Sequence, residues 1–193
     1  MYEAHMVDRD LRVKTFSYTD EALDELEAAL SHERLSTYLD AAGRYRASAI
    51  RLHAWNTAVS SAFYGPLQGL ELALRNAMHR RLAERYGPAC YDHPGAGLDR
   101  GAVVRIAGAR SELARDGRGD DTPRVVTALS FGFRVSLLGP GGRGEAGRKA
   151  NYEMTLWRAA LRGAFAHRAT LTRRQAHGPL DALRILHNRI AHH

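Results

Sequence analysis

The chain has 193 residues, 45% of them hydrophobic and 25% charged, with lysine plus arginine outnumbering aspartate plus glutamate 28 to 21. That balance excludes a disordered polar chain and leaves room for a folded core. Charges spread through the first twenty residues fit no signal peptide, no apolar run is long enough to span a bilayer, and the single cysteine, Cys90, allows no internal disulfide.

Helical periodicity dominates from the start. Thr19 or Asp20 can cap a helix through Leu30, with acidic residues in its favourable first turns. Ser31 reads as a second cap, and Leu35, Tyr38 and Leu39 make a short helix ending near Gly43. A third helix is expected from Arg44 to Tyr64, carrying Ile50, Leu52, Trp55, Val59 and Phe63 at spacings mostly of three or four, with Trp55 in the core. Gly65-Pro66 is read as a break, and a fourth helix follows to Tyr86 on the stripe Leu67, Leu70, Leu74, Met78 and Leu82. Gly87-Pro88 stops it.

A turn-rich loop from Cys90 to Gly97 precedes a fifth helix from Asp99 to Asp116. Thr122-Pro123 then opens a helix expected to run unbroken through Leu138. The stretch from Gly139 to Gly147 (GPGGRGEAG) reads as a mobile loop. Helices from Tyr152 to Phe165 and from Gly178 to His193 complete the set. No strand alternation or repeat is visible, so the fold class is all-α. One domain over residues 1–193 is expected, with 1–43 as a helical N-terminal extension.

The net charge of +7 rests almost wholly on arginine, since Lys14 and Lys149 are the only lysines. Arginine's planar fork suits phosphate, and such a surface attracts a polyanion, though a GC-rich genome also favours arginine, alanine and glycine. The last helix ends His187-Asn188-Arg189-Ile190-Ala191-His192-His193. Asn188 and His192 are four apart and share a face, so an amide, a guanidinium and imidazoles crowd one helix end. Imidazole can move a proton near neutral pH and guanidinium can hold phosphate oxygens. The same residues also read as a solvent-facing polar end, or as the start of a histidine tag. Glu71 and Arg75 lie four apart on one helix with Asn76 adjoining, and an i to i+4 pair of this kind is commonplace. The Gly139–Gly147 stretch lacks the Lys-Ser/Thr of a nucleotide-binding loop. The ten histidines include no HExxH and no paired Cys/His set, so neither metal nor cofactor is expected. Cys90 has no evident base partner in sequence and reads as inert.

Several segments together resemble the Abi-like family of bacterial phage-abortive-infection proteins, within the HEPN superfamily. These are Ser31–Leu39 (SHERLSTYL), Gly69–Asn76 (GLELALRN), Leu129–Phe133 (LSFGF) with Val135–Leu138 (VSLL), Leu156-Trp157, and Leu186–His193 (LHNRIAHH). They follow the family's order and cover nearly the whole chain. The resemblance implies a HEPN-like helical bundle with additional helices, and a metal-independent endoribonuclease of phage-defence or toxin type. It also implies a homodimer, RNA as substrate, and an antitoxin protein or small RNA as further partner. The absence of a signal-peptide pattern and of a spanning run makes the cytoplasm, with no membrane partner, the expected location.

The family's catalytic motif places arginine, a polar residue and then histidine on the last helix. Asn188 matches the polar position and His192 the histidine, with His193 beside it, but His187 stands where the arginine belongs. Cys90 and Arg134 likewise stand where the family has tryptophan. The resemblance thus makes His192, Asn188, His187 and His193 the catalytic candidates, and Arg189, Arg184, Glu71, Arg75 and Asn76 the RNA-binding or supporting ones. Losing the motif arginine implies weak or absent cleavage. The alternative is a non-catalytic scaffold, antitoxin-like or degenerate, that binds RNA or a protein partner.

Overall fold

Thr19 opens the first helix by accepting a hydrogen bond on Oγ1 from the Ala22 amide at 3.2 Å. A computed structural model describes residues 17–144, 147–167 and 169–191, all helix, turn or loop apart from one isolated bridge between Arg143 and Lys149. The all-α class expected from periodicity is what these residues form. None of the described helices is long and apolar enough to cross a membrane. The chain divides into two compact units between Ser60 and Ser61. The division falls inside a helix.

The first unit holds α1 (Asp20–Leu30), α2 (His32–Ala41) and the beginning of α3 (Arg46–Tyr86). Leu23, Leu35, Leu39, Ala49 and Ile50 make its core. Arg46 ties α3 to α1 through Glu27, at 2.7 Å, and Asp24. Asn56 donates to the Tyr38 hydroxyl at 2.9 Å, and His53 meets the Tyr38 ring edge-on. Trp55, expected in the core, is 63% exposed. Helical spacing alone cannot say which apolar positions face a partner element, and here Ile50 takes the buried place instead.

The second unit continues α3 through the buried stripe Leu67, Leu74, Met78 and Leu82. The break expected at Gly65-Pro66 does not occur, because α3 runs through it. Proline expels the preceding residue from helical geometry largely by striking its Cβ, and Gly65 has none. The same pairing recurs in α7 (Arg173–Ala191), where Gly178 precedes Pro179. Gly87-Pro88 differs. Gly87 takes φ +84°, its amide closes on the Ala83 carbonyl at 2.9 Å, and the helix stops.

Asp99 caps α4 (Arg100–Arg115). The single helix expected from Thr122 to Leu138 is instead two, α5 (Thr122–Ala128) and α6 (Phe131–Leu137). Leu129 turns extended, and the Ser130 hydroxyl accepts from the Phe133 amide at 3.2 Å, so a serine inside an apolar run acts as a fresh cap. Asp121, not Thr122, caps α5. The helix expected from Tyr152 to Phe165 becomes a π-helical turn, Glu153–Arg158, and a 3-10 turn, Leu161–Ala164. α7 begins five residues before the expected Gly178, set by reciprocal bonds: Thr172 Oγ1 accepts from the Gln175 amide at 3.3 Å, and Gln175 Oε1 from the Thr172 amide at 3.0 Å.

The core of this unit gathers Phe131, Phe133, Val135, Leu137 and Leu138 of α6 and its end with Met78, Leu82, Ile106, Val125, Tyr152, Leu156, Trp157 and Leu161. α6 packs against both α4 and α7, and α5 against α4. Within the glycine-rich stretch after α6, expected to be mobile, Gly142 and Arg143 are tied to the start of α4. Asp99 Oδ2 accepts from the Gly142 amide at 2.6 Å, and the Arg143 carbonyl accepts from the Arg100 amide at 2.9 Å. A Cβ at Gly142 would sit 3.1 Å from Asp99 Oδ2, so glycine there permits close approach rather than slack.

Candidate functional site

Glu71 sits one turn before Arg75 on α3, and Arg75 Nη2 lies 3.4 Å from its Oε1. α6 delivers a second guanidinium to the same oxygen: Arg134 Nη1 is 3.3 Å away, while its Nη2 donates to the Val126 carbonyl at 2.6 Å. α7 brings His187, whose Nε2 is 3.7 Å from Glu71 Oε2 and whose ring lies 5.9 Å from that of Phe131. That distance is too long for a hydrogen bond, so the imidazole is drawn to the carboxylate only when protonated.

Two guanidinium groups and an imidazole therefore share one carboxylate. The site carries net positive charge even with His187 neutral. Arg134 is 2% exposed. Burial, then the like charge of Arg75, holds its pKa below the usual arginine value, against the opposing pull of Tyr91 and Glu71. It remains a cation, as guanidinium does in proteins. Arg75 Nε is buried and has no hydrogen-bond partner, which leaves a donor unsatisfied beside the cluster. Tyr64, Gln68, Glu71, Leu72, Arg75 and His187 line a pocket of about 240 Å³.

The remaining expected residues fall elsewhere. Asn76 adjoins Arg75 but is exposed, as are Asn188 and Arg189 on α7, and none of the three lines the pocket. Arg184 donates from Nε to Asp181 Oδ1 at 2.7 Å and lines a separate cleft of about 420 Å³ with Arg105, His177 and Ser130. Gly132 admits it there, since a Cβ at that position would meet Arg184 Cδ at 3.4 Å. His192 and His193 lie outside the described residues.

Sequence reasoning missed Arg134 as a member of the cluster. The signal was present: an arginine set between Phe133 and Val135 in an apolar run is a charge headed for burial, and a buried charge requires a partner. Tyr64 was missed because the expected break at Gly65-Pro66 separated it from Glu71, and Gln68 because a neutral amide on a helix carries no local signal. Cys90, read as lacking a base, has His79 Nδ1 3.8 Å from its Sγ. Burial pushes its thiol up to about 11 and lowers the pKa of His79, so sulfur keeps its proton. Among the described residues, no three His, Cys, Asp or Glu side chains converge as a metal site would require.

Comparisons with protein-family models, curated proteins and solved structures found no match to this chain.

Proposed function

We propose that this chain is a metal-independent endoribonuclease of the Abi-like, HEPN type, acting in the cytoplasm in phage defence or as a toxin, and weakened by His187 in place of the motif arginine. The observation that carries the reading is the convergence of Arg75, Arg134 and His187 on Glu71 beside a small open pocket. A phosphodiester entering that pocket meets the Arg75 guanidinium and the His187 imidazole, both of which line it.

The reaction is an internal displacement. The ribose 2′-oxygen forms a bond to the adjacent phosphorus, and the bond from phosphorus to the 5′-oxygen breaks. A base takes the 2′-hydroxyl proton and an acid returns one to the leaving 5′-oxygen, giving a 2′,3′-cyclic phosphate and a free 5′-hydroxyl. His192 is the principal proton carrier, as the resemblance implies, and Asn188 orients the phosphate or that ring. His187 and His193 are the further imidazoles available. A positioned cation opposite the developing charge is worth about 3 to 4 kcal/mol, or two to three orders of magnitude in rate. Arg75 supplies part of this from α3. RNA is the substrate, a second copy of the chain the expected partner, and an antitoxin protein or small RNA the expected neutraliser.

The test is cleavage of end-labelled RNA in EDTA, with product ends mapped. His187→Arg should raise cleavage and toxicity in cells, and His192→Ala should abolish both. Metal-dependent or DNA-only cleavage by the restored variant overturns the reading. A second reading, a non-catalytic RNA- or partner-binding scaffold, is favoured by Glu71, whose two oxygens already face the three basic groups. It predicts salt-sensitive RNA binding with no product from either variant.

A further inference from the structure

Two adjoining cavities, of about 410 and 660 Å³, share Arg158 and Arg162. Arg81 and Arg85, four apart on α3, complete the basic lining of the first; Arg173 and Arg174, in the first turn of α7, complete that of the second. Against these six arginines, among the described residues lining the two cavities, stand only Glu84 and Glu153, so this lining carries more than half of the chain's net charge of +7. The glutamates are already engaged. Glu84 holds Arg81 at 2.8 Å, and Glu153 holds Arg158 and Arg173 at 3.1 Å each. Arg162 and Arg174 are exposed and have no carboxylate partner among the described residues.

We propose that this ridge, formed by Arg81, Arg85, Arg158, Arg162, Arg173 and Arg174, is a second binding site that holds the phosphodiester backbone of a single-stranded RNA. The inference rests on the ribonuclease reading for its choice of RNA, and on the ridge alone for the location. Concentrated arginine forks unmatched by carboxylates suit a chain of phosphates. Between them the exposed lining is Ala169, Thr170 and Thr172, while Trp157, which also lines the second cavity, is buried and Leu171 is half-buried. The surface therefore offers neither an open base-stacking platform nor a broad apolar face to enter a lipid layer. A flexible strand can set successive phosphates into neighbouring concavities, whereas a duplex with a persistence length of about 50 nm cannot follow them. Arg173 and His187 are fourteen residues apart on α7, roughly 21 Å along the axis at 1.5 Å per residue. A strand seated on the ridge therefore contacts residues well removed from the Glu71 pocket and is held while that pocket is engaged or empty.

The experiment measures binding of a short fluorescein-labelled single-stranded RNA by anisotropy, with KCl varied between about 50 and 200 mM. The intact chain should bind with a steep salt dependence. Arg162→Gln with Arg174→Gln should lower affinity on the order of tenfold to a hundredfold at the low-salt end and reduce the slope by about 1.4, at about 0.7 for each lost phosphate contact. Arg115→Gln with Arg118→Gln removes the same charge from exposed positions off the ridge and should leave affinity within about twofold of the intact chain. Equal loss in both double variants, competition by duplex RNA as strong as by single strands, or binding to anionic vesicles in preference to RNA would each overturn the proposal. If the intact chain binds RNA and the ridge variant binds equally well, the ridge assignment fails while the ribonuclease reading stands. If the intact chain binds no RNA, both fail.

Discussion

Arg134 Nη1 lies 3.3 Å from Glu71 Oε1, so a cation with 2% of its side chain exposed is neutralised by a residue 63 positions away in sequence. The pair joins α6 to α3 through the interior of the second unit. Its energetics are asymmetric, because a buried charge that loses its partner costs more than the pair contributes.

Glu71→Gln should therefore destabilise the protein by about 3 kcal/mol, near the low end for breaking a buried pair because Glu71 itself keeps some solvent. Glu71→Gln combined with Arg134→Met should recover most of that loss. Urea denaturation midpoints of the single and double variants check both statements, and equal destabilisation in the two would refute the buried-charge account.

Asp99 makes a prediction about pH. Burial pushes its carboxyl pKa up, but the amides of Ala102 and Gly142, the Tyr152 hydroxyl and the charge of Arg105 outweigh it, and the net shift is downward. The unfolded chain, with an ordinary value near ~3.9, then takes up the proton first as pH falls. The stabilisation is fully present above that value and is lost as pH drops towards and through the lower folded one. The urea midpoint should fall over this acid range, and Asp99→Asn should flatten the curve.

Cys90 should resist iodoacetamide in the native protein at pH 8 and react on unfolding. Its thiol is buried and raised to about 11, and only the thiolate is nucleophilic. Mass spectrometry of native and urea-treated samples reads the difference; rapid native labelling would contradict the buried position.

Two glycines on α3 should respond oppositely to alanine. Gly69 has open space around its absent Cβ, so Gly69→Ala should stabilise by about 0.5 to 1 kcal/mol through helix propensity. Gly65 also faces open space but precedes Pro66, and a Cβ there restores the clash with the proline ring, so Gly65→Ala should gain nothing or lose stability. Thermal unfolding of both variants separates them.

These glycines also mark where sequence reasoning reached its limit. Caps and stripes are local, so Thr19, Gly87 and the run Leu74–Met78–Leu82 were legible. Gly65-Pro66 and Gly178-Pro179 have the same two letters as Gly87-Pro88, yet only the last ends a helix. What distinguishes them is the buried apolar residue one position later, Leu67 or Leu180, which keeps the helical register worth continuing. Ser130 was hidden by the apolar residues on both sides. Glu71 and Arg75 could be paired by spacing, whereas His187 and Arg134 join them only because α6 and α7 pack together, a relationship no local pattern encodes.

The carboxylate of Asp99 has one oxygen on the start of α4 and the other on the glycine-rich segment before the π-helical turn. Those two pieces of chain cannot be exchanged independently. Transplanting residues 139–150 into another helical scaffold would require an acidic side chain at the head of the receiving helix, and lengthening the segment would have to leave Gly142 in register with it. The loop behaves as a keyed part, matched to one socket.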